Sequence, residues 1–295
     1  MVDTGEGRRL HVQVAGKGGS VVVLEAGIAA SSISWALVAP RLANFTTVVS
    51  YDRAGFGWSE PAPHGSTALD AARDLALLMD RLAIREPVVL VGHSFGGLVA
   101  RVFQQRYSER IAGLVLVDPV CRALWREASE QRLRMLARGV MLSRRGEFLA
   151  RLGIVRVALR LLMSGSRLIP KLMTRASAGR GAGVAERLAG EVRKMPKELW
   201  PAVASHWSEA RCFRAMADAL ENLPASVRQL DETSALDGLP VRVLSASSAN
   251  EIEICEHRND AALSTRGEHV VVSGAGHWIQ LDAPESVVCA VRQIL

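Results

Sequence analysis

Gly92-His93-Ser94-Phe95-Gly96-Gly97 is the stretch that most constrains what this chain can fold into. It follows the apolar, β-branched run from Pro87 to Val91 and precedes Leu98 to Phe103, which reads as helix. A glycine-flanked serine between strand and helix needs a sharp turn with a strained backbone. Gly92 and Gly96 supply the small neighbours for such a turn. The turn lifts the hydroxyl out of a sheet and aims the first amides of the helix at whatever the hydroxyl attacks. The competing reading is an ordinary glycine-rich turn between strand and helix.

The chain around this turn alternates between strands and helices. Arg9–Val14 reads as a strand, Val21–Leu24 as a strand buried on both faces, and Ser34–Leu42 as a short helix. Thr46–Tyr51 is the next strand, and Ser66 or Thr67 can cap a helix through Ala71, Leu75, Leu78 and Leu82. Ile111–Val117 is another buried strand, ending at Asp118-Pro119. From residue 121 to 228 the apolar residues recur at three and four, with no clear strand. Strands return at Val241–Leu244 and His269–Val272, and a proline-started helix closes the chain from Pro284 to Leu295. This order predicts an α/β fold, a mostly parallel sheet with helices on both faces. Residues 1–119 and 233–295 form its core, and 120–232 form an all-helical insertion over the carboxyl edge of the sheet.

At 295 residues the chain can hold one large α/β domain with an insertion. No apolar run reaches the ~18 residues of a membrane span. The first residues, Met1 to Glu6, carry no signal-peptide pattern, so a cytoplasmic protein is expected. The four cysteines stand far apart and the histidines lack ligand spacing, so neither a metal nor any other cofactor is expected. The net charge of +6 is unevenly placed: residues 120–232 carry +10 and the remainder −4. Arginines in that segment are interleaved with leucines at helical spacing, as on solvated helix faces, and no nucleic-acid partner is expected. The basic, leucine-rich stretch from Arg144 to Arg175 also suits weak contact with an anionic membrane.

A serine hydroxyl near neutral pH needs a base, and the base needs an orienting carboxylate. The best base is His277, in the small-residue loop Ser273-Gly274-Ala275-Gly276-His277-Trp278 just past the last strand. His93 adjoins the serine and is expected to point away from it. Two places suit the acid in the chain order serine, acid, histidine. Asp118 closes the strand after the Ser94 unit; the alternative is Glu251 or Glu253, beyond Val241–Leu244. The oxyanion needs backbone donors: the Phe95 amide, and the Ile28 amide with Gly27 giving the loop room to turn.

Taken together, Ser94 in its glycine turn, the segment Tyr51-Asp52-Arg53-Ala54-Gly55-Phe56-Gly57-Trp58-Ser59, and Gly276-His277 resemble the α/β-hydrolase superfamily. The resemblance covers nearly all of the chain outside the helical insertion, which matches that family's cap. It implies the α/β-hydrolase fold, a Ser94–His277–acid triad and an oxyanion hole. Two departures stand out: Ala26-Gly27 replaces the frequent His-Gly, and the acid's usual loop after Val241–Leu244 lacks aspartate. Relatives of haloalkane dehalogenases place the acid where Asp118 stands, which favours Asp118. Serine at position 94 disfavours the epoxide-hydrolase and dehalogenase chemistries, which use aspartate there.

The expected activity is that of a carboxylesterase-like serine hydrolase acting on an apolar small-molecule ester. The same triad serves lactones, amides, carbon–carbon bonds and cofactor-free perhydrolysis. A ligand receptor without catalysis, on the same fold, is the reading from another class. Trp125 and Trp207, with Leu133, Met141, Phe148, Leu152 and Leu161, are available as apolar wall material for the substrate. Oligomeric state leaves no mark on this sequence.

Overall fold

A computed structural model describes residues 1–5, 7–62, 67–163, 194–230 and 236–295. Two short strands, β1 (Val2–Asp3) and β2 (Arg9–Leu10), pair as a separate antiparallel ribbon. The main sheet has seven strands: β3 (Val12–Ala15), β4 (Val21–Glu25), β5 (Thr47–Tyr51), β6 (Val88–His93), β7 (Ile111–Val117), β8 (Val241–Ala246) and β9 (Gly267–Val272). Their spatial order is β3-β5-β4-β6-β7-β8-β9; β3 is antiparallel to β5 and every other pair is parallel.

Alternation along the central strands feeds two cores. Val23, Leu90, Leu114 and Val243 face helices α1 (Ala68–Arg81) and α2 (Phe95–Arg106). Val22, Leu24, Val91, Val115 and Leu244 face Trp35, Val38 and the last helix of the chain. Side chains buried on both faces explain why these strands read as continuous apolar runs.

Between β7 and β8 the described residues form helices alone: α3 (Glu130–Arg151), α4 (Ile154–Met163), α5 (Trp200–Ser208), α6 (Ala210–Glu221) and α7 (Leu223–Arg228), preceded by a helical turn at Ala123–Arg126. After β8 come α8 (Glu251–Ala262) and, closing the chain, α9 (Pro284–Arg292). Among the described residues no helix is long and apolar enough to cross a membrane.

Two local expectations are corrected, and one helix is added. The expected strand at Arg9–Val14 breaks at His11, whose amide bonds the Ser59 hydroxyl at 2.8 Å and whose ring meets Asp52 at 3.0 Å. The expected helix at Ser34–Leu42 is a 3-10 turn (Ser32–Trp35) and a separate turn (Ala39–Leu42) with Pro40 at its second position. Helix α8 is an element the sequence analysis did not assign, although Asn250 and Glu253 form a reciprocal capping box at its start, a legible signal. Its apolar residues lack helical periodicity, which hid the rest.

The turn at Ser94 is built by close backbone crossing. A Cβ on Gly92 would overlap the Gly96 carbonyl, and one on Gly96 would overlap the carbonyl oxygen of Glu25 on β4. Helix α2 therefore lies against β4 and β6 at a separation that glycine alone permits. Gly92→Ala is expected to destabilise the fold by about 1–3 kcal/mol, as overpacking does, measured by urea denaturation; an unchanged midpoint would mean the crossing is looser than described.

Candidate active site

All parallel strands end at one edge of the sheet, and every residue singled out for chemistry lies in a turn at that edge or just beyond it. Ser94 follows β6 with φ 54° and ψ −117°, a conformation that L-residues rarely adopt. Its amide donates to the Val117 carbonyl at 3.0 Å, and its carbonyl accepts from Gly97 at 2.9 Å and Val120 at 3.2 Å. The last bond ties the turn to the segment that carries Asp118. Ala29 (φ 63°) and Asp118 (φ 42°) are also in the left-handed region. Three strained residues at one sheet edge mark a place where fold stability has been given up to local geometry.

Asp118 closes β7. Its Oδ2 lies 2.6 Å from His277 Nδ1, and its Oδ1 accepts the Ala246 amide at 2.9 Å. Burial alone would raise the Asp118 carboxyl, but the hydrogen bond and charge of His277, the Ala246 amide and the charge of His257 outweigh it and hold it below the usual carboxylate range. An ionised Asp118 fixes the His277 proton on Nδ1 and leaves Nε2 as the acceptor. The His277 side chain is 50% exposed, so that acceptor is reachable. Glu253 caps α8 and Glu251 is exposed in the first turn of the same helix; neither is hydrogen-bonded to His277.

The Phe95 amide is the first in α2 and has no intrahelical acceptor. The Ile28 amide belongs to the loop after β4, and neither amide has a protein acceptor among the described residues. That loop passes alongside the serine: a Cβ on Gly27 would stand 3.4 Å from the Ser94 Cβ and 3.0 Å from His93 Nδ1.

Two supports of the site lay outside the sequence reading. The first is Arg53, whose guanidinium donates to the Ala26 carbonyl, to the Gly27 carbonyl at 2.6 Å, and to the buried carboxylate of Glu25. Tyr51 donates to the same carboxylate. Burial pushes the Glu25 carboxyl upward, against the charge of Arg53 and the bond from Tyr51. The arginine also covers the Phe56 and Phe95 rings, at 5.3 and 5.4 Å. A charged pair beneath the Gly27–Ile28 loop thus locks two of its carbonyls and turns its amides outward. The signal was present as an acidic residue closing an otherwise apolar strand, Val21–Glu25.

The second support is His93. It is buried and does not point freely away: its Nε2 bonds the His277 carbonyl at 2.9 Å, and the two rings lie 4.8 Å apart. Burial and the charge of His277 push its pKa down to about 3, so it is neutral and its Nε2–H donates. The residue beside the serine therefore fastens the main chain of the histidine loop.

A pocket open to solvent, about 460 Å³ with that open solvent included, abuts both halves of the site through Ala29 and Trp278. Its other walls include Ile33, Met195, Val203 and Trp207. Trp125 is not among them; it packs on the core with Arg132 over its ring at 5.5 Å. Leu133, Met141, Phe148, Leu152 and Leu161, expected as wall material, are exposed on α3 and α4 or just after α3. Three wall residues are polar: Ser31, Ser34 and His206. His206 accepts the Gly57 amide at Nδ1 (2.8 Å), which places its proton on Nε2, and that nitrogen is buried without a partner among the described residues. Burial, opposed by the charge of Asp52 and assisted by that of Arg211, holds this imidazole at about 4 and therefore neutral. A second pocket, about 550 Å³ with its open solvent included, reaches Phe95 beside Ser94 and Arg53, and has a charged lining that includes Asp74, Arg211 and Asp218. Among the described residues no three His, Cys, Asp or Glu side chains gather as a metal site.

The chain matches the model of the alpha/beta hydrolase family over residues 21–291 and belongs to that family. It is similar to the 2-hydroxymuconate semialdehyde hydrolase of a Pseudomonas strain, 40% identical over 85 residues, or 28% of this chain and 30% of that protein. The matches span less than half the length of the curated relatives, from 18% to 46% among the first three. Among solved structures, an esterase from Thermogutta terrifontis superposes with a TM-score of 0.64 at 23% identity, covering 99% of this chain and 95% of that one. Est816, described as an N-acyl homoserine lactone degrading enzyme, superposes at 0.66 with 17% identity, covering 100% and 99%. At such identities the superpositions speak for the fold.

Two stability experiments follow from the buried charges. Glu25→Leu leaves Arg53 buried without its carboxylate and is expected to cost about 3–5 kcal/mol in urea denaturation, as broken buried pairs do. The pH dependence has a definite sign. Unfolded histidines take up a proton near ~6.5, whereas His93 and His206 remain neutral to about 3 and about 4 in the fold. The unfolded chain therefore binds more protons, and stability is lost as pH falls below ~6.5. Between pH 7 and pH 5, His206→Phe is expected to lose about 2 kcal/mol less than wild type; an equal loss would show that His206 takes up its proton at the same pH in the fold as in the unfolded chain.

Proposed function

We propose that this protein is a serine hydrolase that cleaves carboxylic esters of apolar small molecules through an acyl-enzyme. The reading rests above all on the contact between His277 Nδ1 and Asp118 Oδ2 at the sheet edge where Ser94 is held in its strained turn. Ser94 Oγ attacks the ester carbonyl while its proton passes to His277 Nε2. The Phe95 and Ile28 amides receive the negative charge that develops on the carbonyl oxygen. Collapse of this intermediate breaks the bond to the alkoxy group, which takes the proton from His277 and leaves as an alcohol. Water, giving its proton to the same nitrogen, then releases the acid and regenerates Ser94. Asp118 remains ionised throughout and stabilises the imidazolium.

The apolar cavity beside Ala29 and Trp278 suits an uncharged acyl or alcohol group, with Trp207 in its wall. Opening a lactone is the same reaction with the leaving alcohol kept in the product, so lactones belong in the same substrate panel. The resemblances to an esterase and to an N-acyl homoserine lactone degrading enzyme support beginning that panel with esters and lactones.

The decisive measurement is turnover of a short p-nitrophenyl ester together with labelling by a fluorophosphonate. Ser94→Ala is expected to abolish both. Asp118→Asn is expected to lose about four orders of magnitude in kcat, as loss of the orienting carboxylate does in such triads, while Glu251→Gln and Glu253→Gln keep wild-type rates. Tight ester binding without turnover or labelling would instead make the protein a ligand receptor.

A further inference from the structure

Helix α3 is amphipathic in the unexpected sense. The face packed on α6 is made of small residues: Gly139 against Leu220, Gly146 against Phe213, and buried Ser143 and Ala150. The opposite face carries Arg134, Arg138, Met141, Arg145, Phe148 and, one residue past the helix end, Leu152, all exposed and spaced alternately by four and three. That spacing puts them in one stripe, about 27 Å long at the helical rise. Phe148 is 62% exposed and Leu152 59%. Ile154 and Val157 extend the apolar surface onto α4.

The charge of this surface is one-sided. Between Glu130 and Leu161 there are eight arginines and two glutamates. Glu147 is buried and bonded to Arg151 and Arg214, and Glu130 is paired with Arg134. Arg138, Arg145 and Arg160 are exposed and form no ion pair among the described residues. Exposed phenylalanine and leucine set between unpaired arginines make a poor solvated face and a poor interface with a second copy, whose arginine stripe would meet this one. An anionic lipid surface satisfies both components at once: apolar side chains enter the acyl boundary while guanidinium groups bind headgroup phosphates.

We propose that the outer stripe of α3, from Arg134 to Leu152, docks this protein on an anionic lipid surface. The stripe is one helix layer from the cavity: Gly146 abuts Phe213, whose ring meets Trp207 of the cavity wall edge-on at 5.9 Å. Docking there brings the helical insertion to the phase in which apolar molecules concentrate, and it is independent of the reaction the site performs.

Co-sedimentation with vesicles tests it, using the whole chain at low salt. Binding is expected to phosphatidylcholine vesicles with about one third phosphatidylglycerol, and not to phosphatidylcholine alone; about 0.5 M salt should weaken it. Arg138→Glu with Arg145→Glu, and separately Phe148→Ser with Leu152→Ser, are each expected to lower the partition coefficient by roughly tenfold or more. Circular dichroism melting of both variants controls for folding, with transitions within a few degrees of wild type. The proposal is overturned by equal absence of binding to both vesicle types at low salt, which would mean that the chain itself covers the face. It is also overturned by binding that neither variant weakens, or by a concentration-dependent dimer that the Phe148/Leu152 variant abolishes.

Discussion

Helix α2 crosses β4 and β6 at a distance that leaves no room for a Cβ at Gly92 or Gly96. Everything at the candidate site depends on that approach. It brings the Phe95 amide beside the loop after β4, forces Ser94 into a left-handed conformation, and sets the serine within one hydrogen bond of the Asp118 turn through Val120. A looser crossing would leave the same residues present but uncoordinated, since amides aimed a fraction of an ångström wide stabilise a developing charge far less well.

The charges around this crossing are handled by pairing where a charge is wanted and by neutrality where it is not. Glu25 is buried but shared between Arg53 and Tyr51, and the arginine also donates to the Ala26 and Gly27 carbonyls. Asp118 keeps its charge because His277 and the Ala246 amide outweigh its burial. For His93 and His206 burial outweighs the charges of Asp118 and Asp52, so both stay neutral and each acts as a hydrogen-bonding group with a defined tautomer. The polar parts of the site are therefore fixed by desolvation as much as by attraction.

The helical insertion follows a different logic. Its leucines, methionines and phenylalanine recur at helical spacing, and such a pattern reads as a buried wall. In the fold, α3 turns glycine, serine and alanine toward α6 and most of its larger apolar residues outward, Leu136 excepted. Close packing against Phe213 and Leu220 accounts for this: with bulky side chains already on α6, only small residues fit opposite them.

Much of the core was legible in the sequence. Continuous apolar strands, the glycine-flanked serine and a small-residue loop ending in His277 determine a parallel sheet and the turns at its edge, because their signals are local in period and spacing. The choice of Asp118 over Glu251 or Glu253 was harder; only pairing β7 beside β8 carries Asp118 to the histidine loop, while the Asn250–Glu253 cap turns Glu253 to another use. The clamp by Arg53, the fastening of His277 by His93 and the outward face of α3 were decided by tertiary structure alone. Each joins residues distant in the chain, or depends on which face of a helix meets a neighbour, and neither local propensity nor hydrophobic period carries that information.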